Sequence, residues 1–246
     1  MTGASGGLGA GFAKELARQG ANLILVARSA DKLETLADEL RARHRVQVET
    51  WPCDLVNRGA RAVLAADLAS REIHTLVNNA GFGSIGDFTD LPQERISAEV
   101  ELNVVALTDL TRTVLPGMRQ RDRGAVINIA STAAFQPIPG FTTYAATKSY
   151  VLRLSIGLWA ELHDTGVRVL AVCPGPTDTG FFSAAGNDQV MGHRRSVEQV
   201  VATSFKALRR HRPYVVDGVG NTIMAEATRL VPATWVSQMA GWIASH

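Results

Sequence analysis

Short apolar, β-branched runs bounded by turn residues recur along the chain: Asn22 to Arg28 (NLILVAR), Val46 to Pro52 (VQVETWP), Ile73 to Asn79 (IHTLVNN), Gly124 to Ser131 (GAVINIAS), Val167 to Pro174 (VRVLAVCP) and Pro213 to Gly218 (PYVVDG). Each has the length and composition of a buried strand. Between them the apolar positions change period. Leu8, Phe12 and Leu16 recur every four residues up to Gly20, a residue suited to a helix stop. Leu33, Leu36, Ala37 and Leu40 follow the i, i+3, i+4, i+7 pattern after Ser29, which could cap the helix, and Leu107, Leu110, Thr111, Val114 and Met118 form another such face. Nearly continuous apolar strands alternating with helices predict a parallel sheet covered on both faces, a doubly wound α/β fold of Rossmann type whose ligands sit beyond the carboxyl ends of the strands. No composition break and no internal repeat divides the 246 residues, so one domain over residues 1–246 is expected.

Composition narrows the function classes. A net charge of +2, with 46% hydrophobic and 20% charged residues, is that of an ordinary globular protein and gives no pointer to nucleic acid. Cys53 and Cys173 sit in apolar runs without metal-ligand spacing; they read as buried reduced thiols and exclude a disulfide framework. None of the six histidines has a partner at metal spacing, so no metal is expected. No signal peptide precedes the glycine-rich start, and no apolar run reaches the roughly 18 residues that span a bilayer. The cytoplasm is the expected compartment. The uncharged stretch from Leu230 to Ser245, broken by Pro232, reads as a lid or docked tail ahead of a membrane-surface segment.

Chemistry enters at the strand ends. Gly3, Gly7 and Gly9 in TGASGGLG open the first helix, where glycine lets the backbone turn tightly and approach a pyrophosphate held by free N–H groups and the helix dipole. About 20 residues on, where an acidic side chain would hold a ribose hydroxyl, this chain has Arg28 and Ser29. A planar, permanently charged fork beside a hydroxyl favours a 2′-phosphate, hence NADP over NAD; the alternatives are a solvated strand-end charge and a helix cap. In YAATK, Tyr144 and Lys148 are four apart on one helix face. A tyrosine with pKa near 10 needs a stabilised phenolate to act near neutrality, and a cation about 4 Å away could supply the roughly 4 kcal/mol involved. Ser131 closes a strand thirteen residues earlier, Asn103 lies in ELNVVA at what reads as a helix start, NNAG (Asn78 to Gly81) ends another strand, and PGPTDT (Pro174 to Thr179) follows a later one. Asn103 could equally be a cap and Asn79 a turn residue.

Taken in order and at their spacings, the glycine motif, Asp54, NNAG, Asn103, Ser131, Tyr144, Lys148 and PGPTDT make the chain resemble the single-domain short-chain dehydrogenases/reductases over nearly its full length. The resemblance implies an oxidoreductase moving hydride between nicotinamide and a C=O/CH–OH pair. It implies that Tyr144 exchanges a proton with the substrate oxygen, that Ser131 polarises that oxygen, that Lys148 lowers the tyrosine pKa and binds the nicotinamide ribose, and that Asn103 holds a relay water. Gly3, Ser5, Gly7, Leu8 and Gly9 would form the phosphate turn, and Asp54 would meet the adenine edge. Asn79, Ala80 and Gly81 would meet the adenosine ribose region, and Pro174, Thr177 and Thr179 the nicotinamide side. Substrate choice would lie in residues 180–196 and in the tail 221–246, where Phe181, Phe182, Met191, Trp235 and Trp242 suggest a hydrophobic small molecule. A homodimer or homotetramer, joined through the helices carrying Asn103 and Tyr144, is implied too. Competing readings are a nucleotide-binding regulator without turnover, which would need no Ser131–Tyr144–Lys148–Asn103 set, and a membrane-surface enzyme anchored by its tail.

The family strand order, 3-2-1-4-5-6-7, exposes a discrepancy. Only Met1 and Thr2 precede the glycine turn, so the central first strand is largely missing from this sequence. The chain is therefore expected to begin late, and the slot between NLILVAR and IHTLVNN to be empty or filled by something foreign, without direct bonding between those two strands.

Overall fold

The computed structural model describes residues 1–181, 185, 194–228 and 234–235. Strands form where the apolar runs predict them: β1 Leu23–Ala27, β2 Val48–Pro52, β3 Thr75–Asn78, β4 Gly124–Ile129, β5 Val167–Cys173 and β6 Tyr214–Val216. Every ladder among them is parallel. The connecting helices are α1 Gly7–Arg18, α2 Ala30–His44, α3 Arg58–Ala69, α4 Gln93–Val100, α5 Leu107–Gln120, α6 Thr142–Glu161, α7 Val197–Arg209 and α8 Val219–Ala227. The predicted helix faces are the buried ones, Leu33, Leu36, Ala37 and Leu40 on α2 and Leu107, Leu110, Thr111, Val114 and Met118 on α5.

Alternation along each strand splits the core in two. Val77, Ile127 and Leu170 face one side with Phe12 of α1, the α2 leucines and Phe205 of α7. Leu76, Val126 and Val169 face the other with Leu64 of α3 and Leu110, Val114 and Met118 of α5. The α/β fold with helices on both faces follows directly. Cys53 and Cys173 are buried free thiols.

The sheet comes as two ladders, β2-β1 and β3-β4-β5-β6. Among the described residues β1 and β3 are not bonded to each other. The slot is not empty at its carboxyl end, however. Thr2 bridges Val26 in parallel, the Val26 N–H donates to the Met1 carbonyl (2.8 Å) and the Ala4 N–H to the Val26 carbonyl (3.2 Å). On the other side the Thr2 N–H donates to the Val77 carbonyl (3.0 Å). The Met1 ammonium donates to the Ile24 carbonyl (3.0 Å), and burial pushes its pKa down to about 5. With Met1 and Thr2 in the central position the spatial order is the expected 3-2-1-4-5-6-7, so the strand carboxyl ends share one edge.

Two expectations need correction. Asn103 does not start a helix: α4 runs through a π-helical turn, Glu101–Ala106, straight into α5. Ser29 stands at the N-cap of α2, yet its side chain makes no capping bond. Of the expected substrate loop, Phe182 and Met191 lie outside the described residues, as do Trp242 and most of the tail; Trp235 is described and exposed. No helix among the described residues is long and apolar enough to cross a membrane.

Candidate active site

The glycine turn is built by close approach. Gly3 and Gly7 have φ of +63° and +52°, values that L side chains rarely adopt. A Cβ on Gly9 would lie 2.1 Å from the Gly3 carbonyl oxygen, and one on Gly3 2.6 Å from Asn79 Nδ2. Thr2 and Asn79 lock this crossing: Thr2 Oγ1 accepts the Asn79 and Ala80 N–H groups (3.0 and 3.1 Å), while Asn79 Nδ2 donates to the carbonyls of Thr2 and Gly3 (3.2 and 3.0 Å). Asn79 is thus more than a turn residue. Beyond Ser5, α1 starts at Gly7 with no side-chain cap and no acidic residue in its first turn, so its positive end is unneutralised there. Leu8 sits in that first turn, half-buried, and a Cβ on Gly7 would touch Thr179 Cγ2 at 3.1 Å.

Just past β1, Arg28 is exposed and makes no ion pair or hydrogen bond among the described residues. The Ser29 hydroxyl beside it is unused by the helix. Past β2, Asp54 is exposed, its Oδ1 accepting the Val56 N–H (3.1 Å). These three stand on the β1–β2 side of Met1 and Thr2, apart from the groups that follow.

On the β4–β5 side, Ser131 leaves β4 and caps a 3₁₀ turn, its Oγ accepting the Ala133 N–H (3.1 Å). Helix α6 carries Tyr144 and Lys148 inward on one face. The Tyr144 ring is stacked on Phe141 (centroids 4.3 Å apart) and tilted against Phe181 (5.2 Å), which leaves it buried. Lys148 Nζ donates to the Ile129 carbonyl (2.7 Å) and stands 5.5 Å from the Tyr144 ring centroid. Burial pushes the Tyr144 phenol well above its ordinary value, a hydrogen bond with Ser131 opposes the rise, and the Glu99 charge adds to it. Burial also pulls Lys148 down to about 8, against the charges of Cys173 and Glu99. In this arrangement the Lys148 ammonium is turned to a backbone carbonyl and is not among the groups that shift the Tyr144 phenol, on which desolvation dominates.

Asn103 sits in the π-turn, buried. Its Oδ1 accepts the Phe82 N–H (3.2 Å), and its Nδ2 donates to the Phe82 carbonyl (2.8 Å) and to Thr147 Oγ1 (3.1 Å). It staples the loop after β3 to α6. Gly81 in that loop is packed so closely that a Cβ would come within 2.9 Å of Asn103 Oδ1 and 3.4 Å of Lys148 Nζ. NNAG thus touches the glycine turn at Asn79 and Ala80 and the tyrosine–lysine pair at Gly81. Pro174 directly follows β5, with its carbonyl accepting the Thr132 N–H (2.9 Å) next to Ser131. Thr177 is buried and donates to the Gly175 carbonyl (3.0 Å); Thr179 Oγ1 accepts the Phe181 N–H (3.3 Å). Arg195, whose backbone pairs with this segment, is clamped to the buried Asp217 (2.8 Å).

A family model for short chain dehydrogenase matches residues 1–190. The chain belongs to the short-chain dehydrogenase/reductase family. It is similar to 17-beta-hydroxysteroid dehydrogenase type 3 of Danio rerio, 31% identical over 244 residues that cover 97% of this chain and 78% of that protein. It is 35% identical over 178 residues to the very-long-chain 3-oxoacyl-CoA reductase of Bos taurus, covering 71% of this chain and 57% of that protein, so it spans little more than half of that relative's length. Among solved structures, a short-chain dehydrogenase from Sphingobium yanoikuyae in complex with NADPH matches with a TM-score of 0.86 and 35% identity, over 94% of this chain and 92% of that one.

As a short-chain dehydrogenase/reductase the protein is an oxidoreductase that uses a nicotinamide cofactor, and its residues fit that group. The backbone at Gly3, Gly7 and Gly9 has no room or conformation for side chains, the start of α1 is uncapped, and Arg28 and Ser29 are uncommitted donors at one edge. The motifs point to neither Phe141 nor Glu99, and they place Phe181 in the substrate loop without showing that its ring packs on Tyr144. Phe141 carries a usable signal, lying three residues before Tyr144 at the same helix start, whereas Glu99 reads in the sequence as one more solvated helix charge.

Proposed function

We propose that this protein is an NADP-dependent oxidoreductase interconverting a carbonyl and a secondary alcohol on a bulky apolar substrate. The observation that carries the cofactor choice is the pair just past β1: a free guanidinium and an unused hydroxyl at the position where a carboxylate would repel a 2′-phosphate. The NADPH held by the Sphingobium relative supports it.

The bound nicotinamide supplies or accepts the hydride. In the reducing direction Tyr144 gives its phenolic proton to the substrate oxygen as hydride reaches the carbonyl carbon, and Ser131 hydrogen-bonds that oxygen to hold and polarise it. Lys148 holds positive charge beside the ring and returns a proton to the phenol, with Asn103 marking where a water relay would continue. The aromatic pair Phe141 and Phe181 against Tyr144 supports an apolar substrate, as do the hydroxysteroid and very-long-chain acyl names of the relatives. A homodimer or homotetramer in the cytoplasm completes the reading; exposed Val100 on α4 and Tyr150 on α6 support pairing through these helices.

Replacing Tyr144 by Phe keeps the ring packing and removes the proton. Turnover of bulky ketones with NADPH should fall by about 10²–10⁴-fold, read as reduced-nicotinamide absorbance. Turnover close to that of the parent protein would remove the acid/base assignment.

A further inference from the structure

Glu99 lies on α4, one turn before Asn103, with no exposed surface. Both of its carboxyl oxygens are sealed from solvent, and neither has a hydrogen-bond partner among the described residues. Ser84 stands near enough to ease the carboxyl's burial through its side chain and backbone, although neither contact reaches hydrogen-bond geometry. Arg95, one turn earlier, sends its Nε to Ser84 Oγ (2.9 Å) and lies over the Phe82 ring at 5.4 Å. A buried carboxyl without a bond is costly unless a charge or a proton compensates it. Lys148 has the complementary problem: its ammonium is buried, and its bond runs to the Ile129 carbonyl, a dipole rather than a charge. The groups whose charge reaches Lys148 are Cys173 and Glu99, those reaching Glu99 are Arg95 and Lys148, and the one reaching Tyr144 is Glu99. Glu101, on the same helical run, is engaged elsewhere, by Arg58 and Arg61 (3.1 and 2.8 Å).

We propose that Glu99 is a positioning residue of this active site, the buried counter-charge that keeps the Lys148 ammonium protonated and, with it, sets the ionisation of Tyr144. The proposal rests on the Tyr144–Lys148 reading above. Burial pushes the Glu99 carboxyl up and Lys148 down, and each favours the charged form of the other, so the two titrate as a coupled pair. Taking the negative charge away makes both Lys148 and Tyr144 hold their protons less tightly.

Glu99→Gln keeps the shape and removes the charge. Both limbs of the pH profile of kcat/KM should move to lower pH by at least about half a unit, roughly threefold in proton affinity. A packing role alone would lower the plateau and leave the limbs in place. Superimposable limbs, or limbs displaced to higher pH, overturn the proposal. Should the variant fail to fold, infrared difference spectra of the parent protein with labelled glutamate decide it. An ionised glutamate at the pH of turnover is expected, and a glutamic-acid carbonyl band that persists there, the sign of a neutral Glu99, overturns the proposal. If Tyr144→Phe retains turnover, the catalytic assignment itself fails; if Tyr144→Phe is inactive and the Glu99→Gln limbs do not move, only the Glu99 role fails.

Discussion

The two sides of the site, divided by Met1 and Thr2, are built in opposite ways. On the β1 side the polar groups are free: Arg28 is exposed and without a partner among the described residues, Ser29 caps nothing, and the first turn of α1 is uncapped. On the β4 side they are buried and committed: Lys148 to Ile129, Asn103 to Phe82 and Thr147, Tyr144 beneath Phe141 and Phe181. Free donors at an edge suit an anion that arrives from water. Buried titratable groups suit proton chemistry, because desolvation is what moves their ionisation. The division of labour between binding and chemistry follows from burial.

That contrast can be broken at either side. The largest effect is expected at the crossing that shapes the open side. In Gly9→Ala the new methyl meets the Gly3 carbonyl oxygen, so NADPH binding should be lost and thermal unfolding should report a destabilisation of about 1–3 kcal/mol. Gly6→Ala meets nothing within 4 Å and should unfold close to the parent protein; equal melting of the two variants would show that the crossing does not constrain the turn.

A smaller effect sharpens the buried side. Lys148, held down to about 8 from an ordinary 10.5, loses its proton in the folded protein as pH rises through that value. Turnover should fall about tenfold per unit above it. Stability should respond in the opposite sense. Between about 8 and 10.5 the folded protein binds fewer protons at Lys148 than the unfolded chain does, so this group's destabilising contribution shrinks as pH rises across the window. Rate and stability declining together there would show that Lys148 is not the group being titrated.

The sequence carries the open side well and the buried side only in outline. Strand ends, the glycine turn and the tyrosine–lysine spacing are local patterns, and period and motif locate them: β1 and β4 begin and end within two residues of the apolar runs NLILVAR and GAVINIAS. The π-turn at Glu101–Ala106 is invisible to that reading, because an apolar helical period runs on through it. Asn103 looks like a helix start until Phe82, far away in sequence, is seen to hold it. The same holds for Tyr144, whose ring Phe141 and Phe181 cover, and for Glu99, which is buried on α4. Ser29 fails the other way: its type and position predict a cap, and the missing side-chain bond shows only in the geometry.

The most direct test measures the NADPH dissociation constant and kcat at saturating NADPH side by side in Arg28→Ala and Tyr144→Phe. A double dissociation is expected. Arg28→Ala weakens NADPH binding by about 10–100-fold, the value of a charge-assisted contact, shifts preference toward NADH, and lowers kcat far less than Tyr144→Phe does. Tyr144→Phe loses turnover while binding NADPH near the parent affinity. An unchanged NADPH preference in Arg28→Ala, or comparable losses of binding and kcat in both variants, would contradict the separation of an open binding side from a buried chemical one.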